Sequence, residues 1–302
     1  MVGFLFAGQG SQYVGMGKDL YDNFPEAKQV FDIAQKSLGF DLKARCFDGP
    51  QDMLKITSIS QPAIVTVSLA AYEAFRARSN IKPKFLAGLS LGEYSALIVA
   101  KAIGLKEGLQ LVQKRGEIMD EAARKNPGKM AAVLDLEFDK IKGICVNAGC
   151  DVANINAPGQ IVISGKAEAV EKAISACETA GAKRVIELEV SGGFHSKLMI
   201  EASVELKKVL ENTEITPAQT LVISNYTALP ENDRLQIIDN LVYQMYSSVR
   251  WVESMKFMIS QGVTDFYEFG PGKVLKGLMR RIDPGAQVIN IEKAADLIAI
   301  DA

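Results

Sequence analysis

Histidine is nearly absent from this chain: its 302 residues include a single one, at position 195. Zinc and other transition metals are held by several histidine or cysteine ligands that converge on one ion. A lone imidazole excludes a site built on histidines. We therefore expect no metal ion, and any imidazole chemistry must fall to His195.

Cysteine is sparse, and its spacing contains no CxxC pair of the kind found in metal and redox sites. The four cysteines are Cys46, Cys145, Cys150 and Cys177. Such a pattern is typical of free, buried thiols in a reducing compartment. The start of the chain lacks a basic region before its short apolar run, and the apolar stretch 96–105 is interrupted by Lys101. These features predict neither an export signal nor a membrane span, so we expect a cytoplasmic location.

An excess of charge of either sign is also missing. The chain has 34 basic and 36 acidic residues, which gives a net charge of -2. Nucleic acids and anionic membranes are bound by strongly electropositive surfaces. We expect neither as a partner, and an anionic ligand would have to be met by a local positive charge.

Short apolar runs alternate with longer stretches of helical periodicity. The runs are 2–7, 85–88, 221–224, 263–269 and 288–291, and the helical stretches are 62–78, 92–103, 106–125, 197–211, 234–246 and 251–261. This alternation is typical of α/β proteins, in which helices cover a parallel sheet. The 48% hydrophobic content is enough for a sizeable core.

Residues 127–191 follow a different rhythm, in the order βαββαβ. The predicted strands are 130–134, 152–156, 161–164 and 184–190, and the predicted helices are 138–148 and 167–180. That order is the signature of a ferredoxin-like subdomain. We therefore predict such a subdomain inserted into an α/β core formed by residues 1–126 and 192–302. Ligands often bind in the cleft between two such parts.

Ser90 lies in the sequence Gly88-Leu89-Ser90-Leu91-Gly92, between a predicted strand and a predicted helix. A G-x-S-x-G sequence in this context is typical of a nucleophile elbow, where a sharp turn exposes the serine hydroxyl. The helix N-terminus then offers backbone N–H groups to a developing oxyanion. The alternative is a turn serine that caps the helix.

His195 is the only imidazole that could serve as the base a serine nucleophile requires. It follows Gly192-Gly193-Phe194, where the predicted subdomain returns to the core. A lone histidine is more often a surface or core residue than a catalyst, but beside an elbow the catalytic interpretation becomes the better one. General-base help of this kind contributes about 10²- to 10⁴-fold to a rate.

Arg115 shares the apolar face of its predicted helix with Leu111, Val112, Ile118 and Met119. A guanidinium directed inward needs an anion. Sequence alone slightly favours an ion pair with an acidic side chain. A ligand carboxylate becomes the better interpretation if Ser90 lies nearby.

The segment Gly8-Gln9-Gly10-Ser11-Gln12 follows the first predicted strand and superficially resembles a dinucleotide-binding loop. The third glycine of that motif is missing, because Tyr13 stands in its place. No second strand follows to present an acid such as Asp32 to a ribose, since the region around Asp32 is predicted to be helical. A dinucleotide site is therefore not expected. The glycines could instead let the backbone pass close to a reacting centre while Gln9 supplies an amide, or the segment could be a plain turn.

Seven segments together resemble one known family. They are Gly8 to Gln12, Gly88 to Glu93, Arg115-Gly116, Asn156 to Gly159, Phe194-His195-Ser196, Gln244 and Gly270-Pro271-Gly272. In this order, over essentially the whole chain, they resemble the malonyl-CoA:acyl carrier protein transacylases of fatty acid synthesis and their polyketide relatives. The resemblance implies an α/β-hydrolase-like core with a ferredoxin-like insertion, and a monomer.

The resemblance also implies a mechanism. Ser90 takes malonyl from coenzyme A and passes it to the phosphopantetheine thiol of acyl carrier protein, with no metal, ATP or redox cofactor. His195 is the base, Gln244 accepts a hydrogen bond from its imidazole, and Gln9 with the N–H of Leu91 forms the oxyanion hole.

The resemblance assigns substrate selection to Arg115 and Phe194. Arg115 would pair with the free carboxylate of malonyl, and Phe194 resembles the residue that accompanies malonyl selection in polyketide acyltransferases, although simple packing would also explain it. Two positions depart from the family: Leu89 stands where histidine is common, and Ser248 where proline is usual. We expect Leu89 to alter packing or acyl preference without abolishing activity.

Two other functions share part of this pattern. A serine esterase or acyl-CoA hydrolase would use the same elbow and histidine but deliver the acyl group to water. A non-catalytic component that binds carrier protein would first have lost Ser90, His195 or Arg115, and all three are present.

Overall fold

The structure, a computed structural model, describes residues 1–301, with side chains up to residue 298. The strands in these residues are β1 (Val2–Phe6), β2 (Phe85–Gly88), β3 (Gly128–Leu134), β4 (Asp151–Ala157), β5 (Gln160–Lys166), β6 (Arg184–Glu187), β7 (Val222–Ile223), β8 (Pro230–Glu231), β9 (Asp265–Phe269) and β10 (Gln287–Ile291).

The α-helices are α1 (Lys18–Asn23), α2 (Pro25–Ser37), α3 (Leu42–Phe47), α4 (Thr57–Arg76), α5 (Leu91–Val99), α6 (Leu105–Lys125), α7 (Phe138–Ala148), α8 (Ala167–Thr179), α9 (Ile200–Glu211), α10 (Arg234–Tyr246), α11 (Trp251–Ser260), α12 (Val274–Ile282) and α13 (Ala294–Asp301). Short 3₁₀ turns lie at Met53–Lys55 and Lys197–Met199. Across residues 1–301, no helix is both long and apolar enough to cross a membrane.

The larger sheet has the strand order β10-β9-β1-β2-β7-β8. Its first five strands are parallel, which confirms the predicted parallel sheet, whereas β8 pairs antiparallel with β7 at one edge. The prediction did not include β8, which has only two residues. So short a strand is held by its pairing and carries no periodic pattern of its own.

Strand β1 lies inside this sheet and contributes side chains to the cores on both faces. Phe4 and Phe6 belong to the core that contains Phe75 and Phe269, while Leu5 joins the core around Trp251 on the other face. A continuous apolar run suits a strand that is buried on both sides. The carboxyl end of β1 is therefore fixed beside that of its parallel neighbour β2.

The second sheet is antiparallel, with the strand order β4-β5-β3-β6. Its elements follow the predicted βαββαβ order, and helices α7 and α8 pack with it around a small core of its own. Strand β6 ends at Glu187, three residues earlier than predicted. Hydrogen bonds join the two parts of the molecule, because the N–H of Val249 donates to the carbonyl of Ala153 and its carbonyl accepts from Ile155.

Helix α4 begins at Thr57, five residues before the predicted start at Pro62. A proline inside the first turns of a helix argues for a later start, but a contact from elsewhere stabilises the earlier one. The carboxylate of Asp120 in α6 accepts a hydrogen bond of 2.9 Å from the N–H of Ser58. Gly116 permits this approach, since a Cβ there would lie 2.6 Å from the Cα of Ser58. Tertiary capping of this kind is not visible in the local sequence.

Helices α1, α3, α12 and α13 were also absent from the prediction, whereas α2 confirms the helix expected around Asp32. Of these, α1 and α3 have six residues each, which is too short for a helical period to stand out. They enlarge the layer of helices on the sheet without changing the predicted class. A mixed α/β fold built on a parallel sheet is what the structure shows.

The backbone where β1, β2 and α5 meet leaves no room for a side chain at Gly92. A Cβ on Gly92 would lie 2.2 Å from the carbonyl oxygen of Phe6. We therefore expect Gly92→Ala to destabilise the protein by about 3 kcal/mol or more, since overpacking against backbone cannot relax by a rotamer change. The midpoint of urea unfolding measures this.

Gly143→Ala is the matched control, because Gly143 is exposed in α7 and an added Cβ would meet nothing within 4 Å. Alanine there should raise the free energy of unfolding by about 0.5–1 kcal/mol, because alanine has a higher helix propensity than glycine. The midpoint of urea unfolding should rise accordingly. Equal effects of the two substitutions would contradict the close approach at Gly92.

Candidate active site

Ser90 occupies the sharp turn between β2 and α5. Its backbone has φ 51° and ψ −97°, a conformation that residues with a side chain rarely adopt. The two flanking glycines make the turn possible, since a Cβ on Gly88 would lie 1.9 Å from the carbonyl carbon of Gly92. The strand end and the helix start are therefore in direct backbone contact, and the turn projects the serine from the end of the sheet.

His195 approaches Ser90 from the segment that follows the second sheet. Its Nε2 lies 2.8 Å from the Oγ of Ser90, and its Nδ1 lies 2.8 Å from the main-chain oxygen of Gln244. Only a protonated Nδ1 can donate to that carbonyl, so Nε2 is left to accept the serine proton. His195 also has a positive φ, of 55°, and its side chain is buried. The structure thus joins two residues that are 105 positions apart.

The surroundings of His195 favour its neutral form. Burial and the positive charge of Arg115 lower the pKa of the imidazole to about 4, against an opposing contribution from the hydrogen bond to Gln244. A neutral imidazole at physiological pH is the form that can accept a proton. The geometry and the charge state therefore agree with the role of a base.

Gln244 uses its main chain for the histidine and its side chain for other partners. The Nε2 donates to the carbonyl of Ser90 at 3.1 Å and to Glu93 Oε2 at 2.9 Å. The Oε1 accepts a hydrogen bond of 3.1 Å from Arg115 Nη2. The acceptor that orients the imidazole is therefore the peptide oxygen of Gln244, and the side chain of Gln244 takes no part in this hydrogen bond.

Arg115 is 1% exposed and points from α6 towards the nucleophile. Its Nη2 lies 3.2 Å from Ser90 Oγ, and its guanidinium carbon lies 5.1 Å from the ring centre of Tyr94. Among the side chains described, no carboxylate comes within 4.0 Å of this guanidinium, and its Nε has no hydrogen-bond partner. The ion pair that the sequence slightly favoured is not formed, and an unpaired buried cation beside a serine is suited to an anionic ligand.

A cleft of about 480 Å³ opens above Ser90 and His195. Gln9 and Gly10 line it on the side of the larger sheet, while Phe194 and Asn156 line it on the side of the smaller one. Phe194 is itself 4% exposed, so its ring forms part of the wall. The structure thus places Gln9 and Phe194 in one cleft with the serine and the histidine.

Leu91 is the first residue of α5, so its N–H has no acceptor within the helix. The N–H of Ser90 itself is taken, because it donates to Asn225 Oδ1 at 2.6 Å. Of these two adjacent amides, the one at Leu91 is therefore the candidate donor to an oxyanion.

Asn225 and Glu93 contact the site and were missed in the sequence analysis. Asn225 lies just beyond β7, and Glu93 is in the first turn of α5; both are buried. A signal for Asn225 was present, since the predicted strand 221–224 ends directly before it and the carboxyl ends of parallel strands meet at one edge. Glu93 ends one of the segments that carry the resemblance, but it was given no role of its own, since an acid in the first turn of a helix is suited to the surface as well.

The two departures from the family pattern have local explanations. Leu89 packs against the core on the Trp251 side of the larger sheet, and its carbonyl would lie 2.5 Å from a Cβ on Gly8. Ser248 Oγ donates to the main-chain carbonyl of Val152. A serine there therefore adds a hydrogen bond between the two parts of the molecule.

The low pKa of His195 predicts the pH dependence of Ser90 reactivity. We expect the second-order rate constant for labelling of Ser90 by a fluorophosphonate to stay level from pH 8 down to about pH 5 and to fall as the pH approaches 4. Protonation of Nε2 in that range removes the base. Circular dichroism at each pH controls for unfolding, and an acid limb centred near the ordinary value of 6.5 would show that the imidazole is not shifted.

Comparisons with known proteins agree on one family. The acyl transferase domain family matches residues 3–266. The malonyl CoA-acyl carrier protein transacylase of Bacillus subtilis is 44% identical over 295 residues, which cover 96% of this chain and 93% of that protein.

Two solved structures have the same fold, each with a TM-score of 0.96. The acyl carrier protein S-malonyltransferase of Vibrio cholerae is 40% identical, with 99% of both chains covered. A malonyl-transacylase solved in complex with a type II polyketide synthase acyl carrier protein is 39% identical, with 99% of this chain and 98% of that one covered. By sequence and by fold, this chain belongs to the acyl transferase family and, within it, to the malonyl-CoA:acyl carrier protein transacylases.

Proposed function

We propose that this protein transfers a malonyl group from malonyl-CoA to the phosphopantetheine thiol of acyl carrier protein, through an ester on Ser90. One observation carries the proposal: the buried, unpaired Arg115 lies 3.2 Å from the same oxygen that His195 approaches at 2.8 Å. A hydroxyl between a base and a cation is suited to an acyl group that bears its own carboxylate. The names of the relatives support this substrate.

In the first half-reaction Ser90 Oγ attacks the thioester carbonyl of malonyl-CoA, and its proton passes to His195 Nε2. The tetrahedral oxyanion is stabilised by the N–H of Leu91 and the amide of Gln9, each worth about 3–4 kcal/mol if they resemble other donors of this kind. The C–S bond then breaks, and coenzyme A leaves with the proton from His195. The product is malonyl-Ser90 with a neutral imidazole.

The second half-reaction reverses these roles. The phosphopantetheine thiol gives its proton to His195 Nε2 and attacks the ester carbonyl. The C–O bond to Ser90 breaks, and Oγ recovers a proton from the imidazole. A thioester is thus exchanged for a thioester, so the proposed reaction needs no metal, ATP or redox cofactor.

Arg115 selects the acyl group in this mechanism. A charge-assisted contact between its guanidinium and the malonyl carboxylate is worth about 1.5–3 kcal/mol. That range corresponds to roughly 10- to 150-fold preference over acetyl, to which the buried unpaired cation left by acetyl would add. Phe194, in the wall of the same cleft, would limit the bulk of the substituent next to the carboxylate.

We also propose the finer architecture. The parallel sheet and its helices form an α/β-hydrolase-like core from residues 1–126 and 192–302, and residues 127–191 form a ferredoxin-like subdomain. The order of the smaller sheet, with β5 and β3 in the middle, supports this division. Four free, buried cysteines support a cytoplasmic location. We expect a monomer, as the resemblance to stand-alone enzymes implies.

Ser90→Ala should abolish malonylation. Intact mass spectrometry after brief incubation with malonyl-CoA is expected to show one malonyl adduct on the unchanged protein and none on the variant, because the ester oxygen has been removed. If the unchanged protein releases free coenzyme A equally fast with and without acyl carrier protein and holds no adduct, hydrolysis is the better description of its activity.

Arg115→Ala should weaken the preference for malonyl over acetyl. We expect the ratio of malonyl to acetyl transfer, measured as kcat/KM for each thioester, to fall by about 10- to 150-fold. Arg124→Ala is the matched control, because Arg124 lies in the last turn of the same helix but is exposed. An unchanged ratio in Arg115→Ala would show that another group binds the carboxylate.

A further inference from the structure

One buried asparagine holds both sides of the turn that carries the nucleophile. Asn225 Oδ1 accepts the 2.6 Å hydrogen bond from the N–H of Ser90, and its Nδ2 donates to the carbonyl of Gly88 at 2.8 Å. The side chain is 0% exposed, so water cannot replace either bond. A single amide group therefore spans the elbow from the last residue of β2 to the serine.

The two hydrogen bonds of Asn225 stabilise the strained backbone of the elbow. A backbone conformation as unusual as that of Ser90 costs about 1–3 kcal/mol and persists only where its surroundings hold it. Two buried hydrogen bonds contribute about 1 kcal/mol each, which is of the same size. If the turn relaxed, Oγ would move away from His195 Nε2, which now lies 2.8 Å from it.

Glu93 fixes the asparagine in turn. Its Oε2 accepts hydrogen bonds of 2.9 Å both from the N–H of Asn225 and from the Nε2 of Gln244. That same Nε2 donates to the carbonyl of Ser90. The peptide groups before and after Ser90 are therefore both held by amides, and one carboxylate oxygen ties those amides together.

Burial raises the pKa of Glu93 above its ordinary value, and the hydrogen bonds from Asn225 and Gln244, with the positive charge of Arg115, act against that rise. Loss of either donor would therefore disfavour the ionised carboxylate. The contacts around Ser90 support one another, so a change at Asn225 should be felt at the nucleophile even though its side chain touches no substrate.

We propose that Asn225 is a positioning residue for acyl transfer, whose amide holds Ser90 in the strained turn that directs its hydroxyl to His195. By occupying the N–H of Ser90, it also leaves the neighbouring N–H of Leu91 as the donor to the oxyanion. The proposal rests on the proposed function for the identity of the acyl group, but not for the pairing of Ser90 with His195.

The test compares Asn225→Ala with Asn290→Ala. Asn290 in β10 is also a buried asparagine, and its Nδ2 donates to the carbonyl of Gly272 at 2.9 Å, outside the contacts around Ser90 and Glu93. Both variants should lose stability, but only Asn225→Ala should slow the single-turnover acylation of Ser90 at saturating malonyl-CoA, on the order of 10- to 100-fold. The concentration of malonyl-CoA for half-saturation should change little, because binding contacts are retained.

Asn225→Asp adds a pH readout and serves if the alanine variant does not fold. Its ionised carboxylate can accept from Ser90 but opposes the carbonyl of Gly88, whereas the protonated acid can donate to that carbonyl as the amide does. The rate of acylation of this variant should therefore rise as the pH falls from about 8 to 5.5. Over the same range we expect the acylation rate of the unchanged protein to stay constant.

Two results would overturn the proposal: acylation by Asn225→Ala at the rate of the unchanged protein, or equal slowing in Asn290→Ala. Labelling by a fluorophosphonate separates this proposal from the proposed function. If malonyl-CoA leaves the unchanged protein unmodified while the probe labels Ser90 at a rate that depends on Asn225, then malonyl transfer fails and the positioning role stands.

Discussion

A buried positive charge that has no carboxylate within 4.0 Å among the described side chains is the constraint on which the site depends. Transferring a cation from water to a protein interior is costly unless a partner compensates for lost hydration. Arg115 has a hydroxyl, an amide oxygen and an aromatic ring around it, and the side chain of Gln244 stands between it and the carboxylate of Glu93. Burial lowers the pKa of His195, and the same charge lowers it further, so the base stays neutral. Binding of an anionic acyl group would relieve an unfavourable state that folding alone leaves in place.

The scaffold makes this arrangement possible through close backbone contacts. Strand β2 and helix α5 touch at Gly88 and Gly92, and helices α4 and α6 touch at Gly116, the residue after Arg115. Each contact fixes the direction of a neighbouring functional group, Ser90 in one case and the guanidinium in the other. The larger sheet thus supplies the nucleophile, and the helix layer supplies the cation. The segment after the smaller sheet supplies the imidazole.

The sequence predicted the bounds of several elements well. Strand β2 and helices α7 and α10 have the predicted bounds, and the parallel sheet follows from the alternation of elements. The sequence also indicated that Arg115 would bind a ligand carboxylate if it lay near Ser90. What could not be foreseen depends on contacts between distant segments: the cap that Asp120 gives to α4, the hydrogen bond from Asn225 to Ser90, and the choice of a main-chain oxygen as the partner of His195.

The peptide oxygen that orients His195 has a consequence for an anionic substrate. In a serine–histidine–aspartate triad the third group carries a full negative charge. Here a second carboxylate at that place would repel the carboxylate of the acyl group and would offer Arg115 a permanent internal partner. An uncharged orienter avoids both effects, so Arg115 stays available to an incoming carboxylate while the base remains aligned. Because a peptide oxygen is neutral whatever side chain its residue carries, the backbone provides this alignment without adding a negative charge to the site.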